Sequence, residues 1–252
     1  MTDSKFRVVI PARFASTRFP GKALAMLAGK PMIQHVFERA CGSHADEIII
    51  ATDDKRIADA GGNIGATVLM TRGDHQSGSD RVAEVAEEMG WPPDAVVVNV
   101  QGDVPLIPSA SIDQVARLLE DNASSGMATL CTPITTASDY HDVNVVKVVF
   151  DASGRALYFS RAAIPSGAAG PGNGGPNFSI QAWRHIGIYA YRVNTLKQLT
   201  QSEPCALEKY EKLEQLRALW NGIEIRVGAA VEAHGPDVDT PEDLQAAERY
   251  LV

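Results

Sequence analysis

Arg13, Arg18 and Lys22 fall within one short run, IPARFASTRFPGK, beside the hydroxyls of Ser16 and Thr17 and next to Pro20 and Gly21. Cations gathered with small residues suit a ligand that carries several negative charges on oxygen. Arginine grips phosphate oxygens in a planar fork, and lysine meets them as a point charge. A nucleoside triphosphate is such a ligand. Making its α-phosphorus an electrophile requires cations around the departing oxygens. Gly21 would let the backbone approach closely. A solvated basic turn has the same composition, so the run alone leaves both readings open. It is neither a Walker loop nor GxGxxG, which weighs against kinase and dehydrogenase chemistry.

Two carboxylates stand out elsewhere. Asp103, in VNVQGDVP, lies just past the apolar run Ala95–Val100. A carboxylate there suits Mg²⁺, which takes one or two carboxylates with substrate phosphates and water. An Asx-turn that ends the strand is the plainer alternative. Asp239 precedes Thr240-Pro241-Glu242-Asp243, where Thr240 already serves as helix N-cap and Asp243 as capping-box acid. Asp239 is therefore spare, either as a second metal ligand facing Asp103 or as an acid favoured by the helix dipole.

The run His75-Gln76-Ser77-Gly78-Ser79-Asp80-Arg81 contains a capping box in Ser77 and Asp80. Its polar groups could also read a nucleobase, and Arg81 could reach an anionic substrate. Arg161 follows Tyr158-Phe159-Ser160. His185 and Tyr189 share a face on a regular strand. Glu214 and Arg217 have the spacing of a solvated helix pair. Asp53 and Asp54 suit a turn or an N-cap.

The elements that must position these residues alternate. Phe6–Ile10, Glu47–Ala51, Thr67–Met70 and Ala95–Val100 read as strands. Pro31–Ala40, Lys55–Ala60, Arg81–Met89 and Ser111–Leu119 have helical periodicity. This order predicts an α/β fold with a largely parallel sheet. In such sheets ligands bind beyond the carboxyl ends of the strands, where the basic run lies. Later, Val145–Phe150, Ala156–Phe159 and Ile186–Tyr191 read as strands. Glu208–Trp220 reads as one helix with Leu213, Leu216 and Trp220 on a buried stripe. Residues 166–177, SGAAGPGNGGPN, read as a surface loop. There is no internal repeat and no linker that separates two independent domains.

The chain has 252 residues and a formal net charge of −8, so it lacks the broad basic footprint of a nucleic-acid binder. A local basic run in an acidic chain points to a small anion instead. Cys41, Cys131 and Cys205 form no CxxC pair, which fits a reducing compartment. No apolar run approaches the roughly 20 residues that span a bilayer. The expectation is a soluble, cytoplasmic protein that binds neither nucleic acid nor membrane.

Taken together, the motifs resemble the 3-deoxy-manno-octulosonate (Kdo) cytidylyltransferases. The matching runs include IPARFASTRFPGK, GKPMIQHV, ATDD, HQSGSDR, VNVQGD, ALYFSRA, RHIGIYAYR, LEKYEKLEQLRALW and VDTPEDL, in the family's order over nearly the whole chain. The resemblance implies transfer of CMP from CTP to the anomeric hydroxyl of Kdo, with release of pyrophosphate, for lipopolysaccharide synthesis. It implies Mg²⁺, a homodimer and a Rossmann-like fold within a single domain. Residues from 1 to about 125, with the C-terminal segment, would bind nucleotide, and about 126–220 would bind acceptor and dimerise. Arg13, Arg18 and Lys22 would hold the triphosphate, with Arg18, Lys22 and Asp103 as the catalytic set. Pro11, Ala12, Gln76, Ser77 and Gly78 would surround the cytidine. Asp103 and Asp239 would bind Mg²⁺, and Arg81, Gln101, Arg161, His185, Tyr189 and Glu214 the sugar acid. One departure is Val104: the family's loop commonly reads QGDEP, and here it is QGDVP. Two further readings are a cytidylyltransferase for sialic acid or amino-Kdo, and a nucleotide-binding regulatory protein without turnover.

Overall fold

The computed structural model describes residues 5–15, 18–166 and 181–251. Ser16, Thr17 and residues 167–177 of the glycine- and proline-rich stretch lie outside them. The first strand, β1 (Phe6–Ala12), explains its own sequence. Val8 and Ile10 point to one face, Val9 to the other, and all three are fully buried. A strand covered on both faces needs an unbroken apolar run. Each such side chain contributes about 1.5–3 kcal/mol when it leaves water.

Beyond β1 the chain forms a short hairpin, β2 (Met26–Leu27) and β3 (Lys30–Pro31), then α1 (Met32–Cys41), β4 (Glu47–Thr52), α2 (Lys55–Asn63), β5 (Thr67–Met70), α3 (Gly78–Glu88), β6 (Val96–Asn99) and α4 (Ser109–Glu120). The second half adds β7 (Met127–Pro133), α5 (Ala137–His141), β8 (Lys147–Phe150), β9 (Ala156–Ser160), β10 (Trp183–Arg192), α6 (Val193–Gln201), α7 (Ala206–Glu211), α8 (Gln215–Trp220), β11 (Ile225–Ala229) and α9 (Pro241–Glu248). The main sheet runs β11-β7-β10-β6-β1-β4-β5, and β8 and β9 hang from β10. Only β10 opposes the others along this path, being antiparallel to both β6 and β7. The sheet is thus mostly parallel, as expected. Helices α1, α2 and α4 cover one face, and α3, α6 and α8 the other.

From β1 the chain proceeds outward through β4 and β5, then returns to place β6 on the other side. The strand order reverses between β1 and β6. Loops leaving neighbouring strands there diverge and open a crevice. The basic run leaves β1 and the Asp103 loop follows β6, so both border that crevice.

Two sequence readings change. Glu208–Trp220 is two helices, because Lys212 adopts the left-handed conformation (φ 55°) and ends α7. The turn rotates α8, burying Leu213 and Leu216 and leaving Trp220 exposed. Strands β7 and β11 are additions to the sequence reading: β7 shows no alternation because Met127–Cys131 is buried on both faces, and β11 alternates over only five residues at the edge of the sheet. The basic loop is also held more tightly than its composition suggests. Gly21 has φ 73°, and its N–H donates to Phe14 O at 2.9 Å. The Arg56 guanidinium stacks on the Phe14 ring at 3.3 Å. A Cβ at Gly21 would lie 2.9 Å from that ring. Gly21→Ala is therefore expected to lower stability by about 1–2 kcal/mol, read by urea denaturation, through left-handed strain and the clash with Phe14.

Candidate active site

The crevice holds a cleft of about 310 Å³. The β1 end contributes Pro11 and Ala12, and the basic loop Arg13, Arg18 and Lys22. The loop into α3 contributes His75, Gln76, Ser77 and Gly78, and α3 itself Arg81. The β6 end contributes Gln101, Gly102 and Asp103, and the turn before α9 contributes Asp239. Every residue expected around the nucleotide and metal lines this one space. At Gly102 a Cβ would come 3.0 Å from Pro11 O, so the two strand-end loops pack backbone to backbone.

Charge concentrates at the Lys22 end. Its ammonium lies 2.5 Å from Asp103 Oδ2, 3.1 Å from Asp239 Oδ1 and 3.4 Å from Val238 O. Arg18 pairs with the other Asp239 oxygen at 2.8 Å. Burial opposes the Lys22 charge, but Asp103 and then Asp239 outweigh it and raise the ammonium above its ordinary range. Asp239 reaches this place because the Val238 N–H donates to Asp103 O at 2.9 Å. Thr240 and Asp243 form the capping box of α9, which leaves the Asp239 carboxylate free for the cleft. Asp237 is a third acid here that the sequence reading missed. The residue is exposed overall, yet packed protein around its carboxyl, then Asp103 and Asp239, push it up to about 6.

Among the described residues no three His, Cys, Asp or Glu side chains gather as a metal cluster. The donor set nevertheless fits Mg²⁺, which needs only one or two carboxylates when phosphates and water complete its shell. Asp103 and Asp239 already converge on one cation, the Lys22 ammonium. Val104 faces away from them and packs against the apolar core on the α1 and α4 face of the sheet.

A second cavity, about 290 Å³, adjoins the first through Gln101. His185, Tyr189 and Glu214 line it, together with Gly187 and Gln215. His185 and Tyr189 share a face although β10 bulges between Ile186 and Tyr189. Two extra residues in that register keep the parity, and the rings lie 5.3 Å apart. Thr129 fills the bulge: its hydroxyl lies 2.8 Å from Ile188 O and 3.1 Å from Ile186 O. With its proton donated there, it accepts from His185 Nε2 at 3.0 Å, which leaves Nδ1 as an acceptor. Burial, then Arg184, depresses His185 to about 3. The imidazole is neutral at neutral pH and offers hydrogen bonds, with no charge for an acceptor carboxylate. Among the described residues the Tyr189 hydroxyl is buried with Thr129 near it but with no partner at good hydrogen-bond geometry.

Glu214 is no solvated helix pair. Burial raises its pKa, and it accepts from the Ser77 hydroxyl at 3.3 Å, joining the second cavity to the first. Arg217 instead pairs with Glu208 through two bonds of 2.8 and 2.5 Å. Arg81 is buried in the first cleft, pairs with Asp53 at 3.3 Å and donates to Thr71. Asp54 caps α2, one of the two roles its position suggested. Arg161 lines neither cavity. Its Nε donates to Glu211 O at 2.8 Å and its Nη1 to Val143 O at 3.0 Å.

His185 binds no extra proton in the fold until about pH 3, whereas an unfolded histidine does so near 6.5. Between those values the unfolded chain holds more protons, so the group erodes stability as pH falls. His185→Gln is expected to flatten the fall of the urea midpoint between pH 7 and 5, leaving the part due to His234, which is depressed to about 4.

A family model described as cytidylyltransferase matches residues 7–225. The 3-deoxy-manno-octulosonate cytidylyltransferase of Thioalkalivibrio sulfidiphilus is 53% identical over 98% of both chains. Its namesake from Pseudomonas syringae pv. syringae is 52% identical over 98% of both. Among solved structures, CMP:2-keto-3-deoxy-manno-octonic acid synthetase complexed with CTP superposes with a TM-score of 0.88 at 39% identity, covering 98% of each chain. A cytidylyltransferase from Leptospira borgpetersenii, 16% identical, shares the fold with a TM-score of 0.61 over 95% of this chain and 83% of that one. The chain belongs to the 3-deoxy-manno-octulosonate cytidylyltransferase family.

Proposed function

We propose that this protein transfers CMP from CTP to the anomeric hydroxyl of Kdo, forming CMP-Kdo and pyrophosphate for lipopolysaccharide synthesis. The observation that carries the reading is the convergence of Arg13, Arg18, Lys22, Asp103 and Asp239 in one cleft at the sheet's switch point. Arg13, Arg18 and Lys22 bind the triphosphate and stabilise charge on the departing pyrophosphate. Pro11, Ala12, Gln76, Ser77 and Gly78 enclose the cytidine. The acceptor lies in the second cavity, where Gln101, Glu214 and the neutral His185 order its hydroxyls and the buried Tyr189 hydroxyl can hydrogen-bond it. Arg81, on the wall of the adjoining first cleft, supplies positive charge toward its carboxylate, whereas Arg161 lines neither cavity and takes no part in this reading.

Mg²⁺, held by Asp103 and Asp239, supplies Lewis-acid stabilisation of phosphate oxygens when bound. The acceptor oxygen attacks the α-phosphorus as the bond to pyrophosphate breaks, and no covalent enzyme intermediate forms. Holding the reactants in adjoining cavities supplies most of the acceleration, through orientation and fixed charge. The nucleotide part comprises residues 1 to about 125 with the C-terminal segment, and the acceptor part about 126–220.

The protein works as a homodimer in the cytoplasm. The β9 strand pairs only with β8 among the described residues, and Leu157 on it is 54% exposed, which supports a partner there. Three free cysteines support a reducing compartment. Among the described residues no helix is long and apolar enough to cross a membrane.

Pyrophosphate release, measured over the four nucleoside triphosphates and several acidic sugars, is expected only with CTP and Kdo together. Chelation of Mg²⁺ should abolish it, and Asp103→Asn should lower turnover roughly a hundredfold or more. CTP binding without turnover of any sugar acid would overturn the reading.

A further inference from the structure

The segment between β5 and α3 brings His75, Gln76 and Ser77 to the first cleft, and three side chains of α3 tie it down. Asp80 accepts from the N–H groups of Gln76 at 3.2 Å and Ser77 at 2.9 Å. Arg81 donates to the Thr71 hydroxyl and to Arg72 O at 3.3 Å. Glu84 accepts from the Arg72 N–H with both oxygens, at 3.2 and 3.1 Å, and from His75 Nε2.

Asp80 has a second use in starting the helix, and Arg81 itself lines the cleft. Glu84 has neither. It lies in the middle of α3 and outside the cleft, with a side chain only 14% exposed, and its His75 partner is 5% exposed. An enclosed carboxylate is costly unless hydrogen bonds compensate it. The compensation at Glu84 comes from Arg72 and His75, one at the start of the segment and one at the cleft wall. Those bonds outweigh burial and keep the carboxyl below its usual range.

We propose that Glu84 is a positioning residue for the nucleotide, acting through His75 and the Arg72 amide to fix the wall formed by residues 75–78. The inference rests on reading the first cleft as the CTP site. With the segment pinned at both ends, the backbone and side chains of Gln76, Ser77 and Gly78 are ordered before the ligand arrives. Without the tie, part of the binding free energy is consumed in ordering them. The acceptor cavity does not include His75 or Glu84 and meets this wall only through the Ser77–Glu214 contact, so the defect falls mainly on nucleotide.

Calorimetric titration with CTP and steady-state kinetics test this. Losing hydrogen bonds to a charged group corresponds to roughly a tenfold change in an equilibrium constant. Glu84→Ala is expected to raise the Kd and KM for CTP about that much, with the KM for Kdo within about twofold of wild type. Glu84→Gln keeps the shape and one acceptor oxygen, so its effect should be intermediate. His75→Ala should match Glu84→Ala, and the double variant should be no worse than the weaker-binding single variant, because one tie is being cut. Wild-type CTP affinity in Glu84→Ala, or additive losses in the double variant, would overturn the proposal. If Glu84→Ala fails to fold, Glu84→Gln carries the comparison, with amide hydrogen exchange across residues 72–77 faster than wild type as the expected result and unchanged exchange as the refuting one. A wild-type protein that does not bind CTP would refute the reading of the cleft, while the exchange measurement would still report whether Glu84 holds the segment.

Discussion

One ammonium joins the two ends of this chain. Lys22 lies just after the first strand, and Asp239 just before the last helix; Asp103 follows the strand beside the first. Apart from a short 3-10 turn over Lys22–Leu24, these segments are loops. The ion pairs, with the bond from the Val238 amide to Asp103 O, bring the three together at the point where the strand order reverses. Removing the ammonium would leave Asp103 without its cation and Asp239 held only by Arg18, with Asp237 beside them. The cluster is thus stable only while a cation lies in it, whether a side chain or a metal ion. In the proposed reaction a metal ion bound with the polyphosphate would meet this need, with Lys22 turning to phosphate oxygens.

The fold, and the gathering of the expected residues into one candidate site, were legible in the sequence because their determinants are local. A strand buried on both faces must be apolar throughout, as β1 and β6 are. Capping boxes declare themselves through Ser77 with Asp80 and Thr240 with Asp243, and they locate Gly78 and Asp239 as residues beside helix starts. The basic loop was legible for a similar reason, since its cations stand close together in an acidic chain.

What was not legible depends on contacts between distant segments. The periodicity of LEKYEKLEQLRALW continues through Lys212, and only the packing of α8 against the sheet explains the break that buries Glu214. His185 is a cation by type, but enclosure makes it a neutral hydrogen-bonding group. Glu84 reads as an ordinary charged residue on an amphipathic helix until His75 is found against it. Strand β7 shows no alternation because neighbours cover both of its faces. In each case the side chain's chemistry is fixed by what surrounds it, and the local pattern says nothing about that.

The antiparallel course of β10 separates two tasks. The groups proposed to grip the triphosphate stand on loops of the parallel half of the sheet and the turn before α9. The groups that line the second cavity stand largely on β10 and the α7–α8 turn. Gln101 and the contact between Ser77 and Glu214 are the seam. Such a division lets the two halves diverge at different rates. Side chains of β10 and α8 can be exchanged to suit another acid while the phosphate grip is inherited unchanged, so one scaffold can give rise to enzymes that share a donor and differ in what they activate.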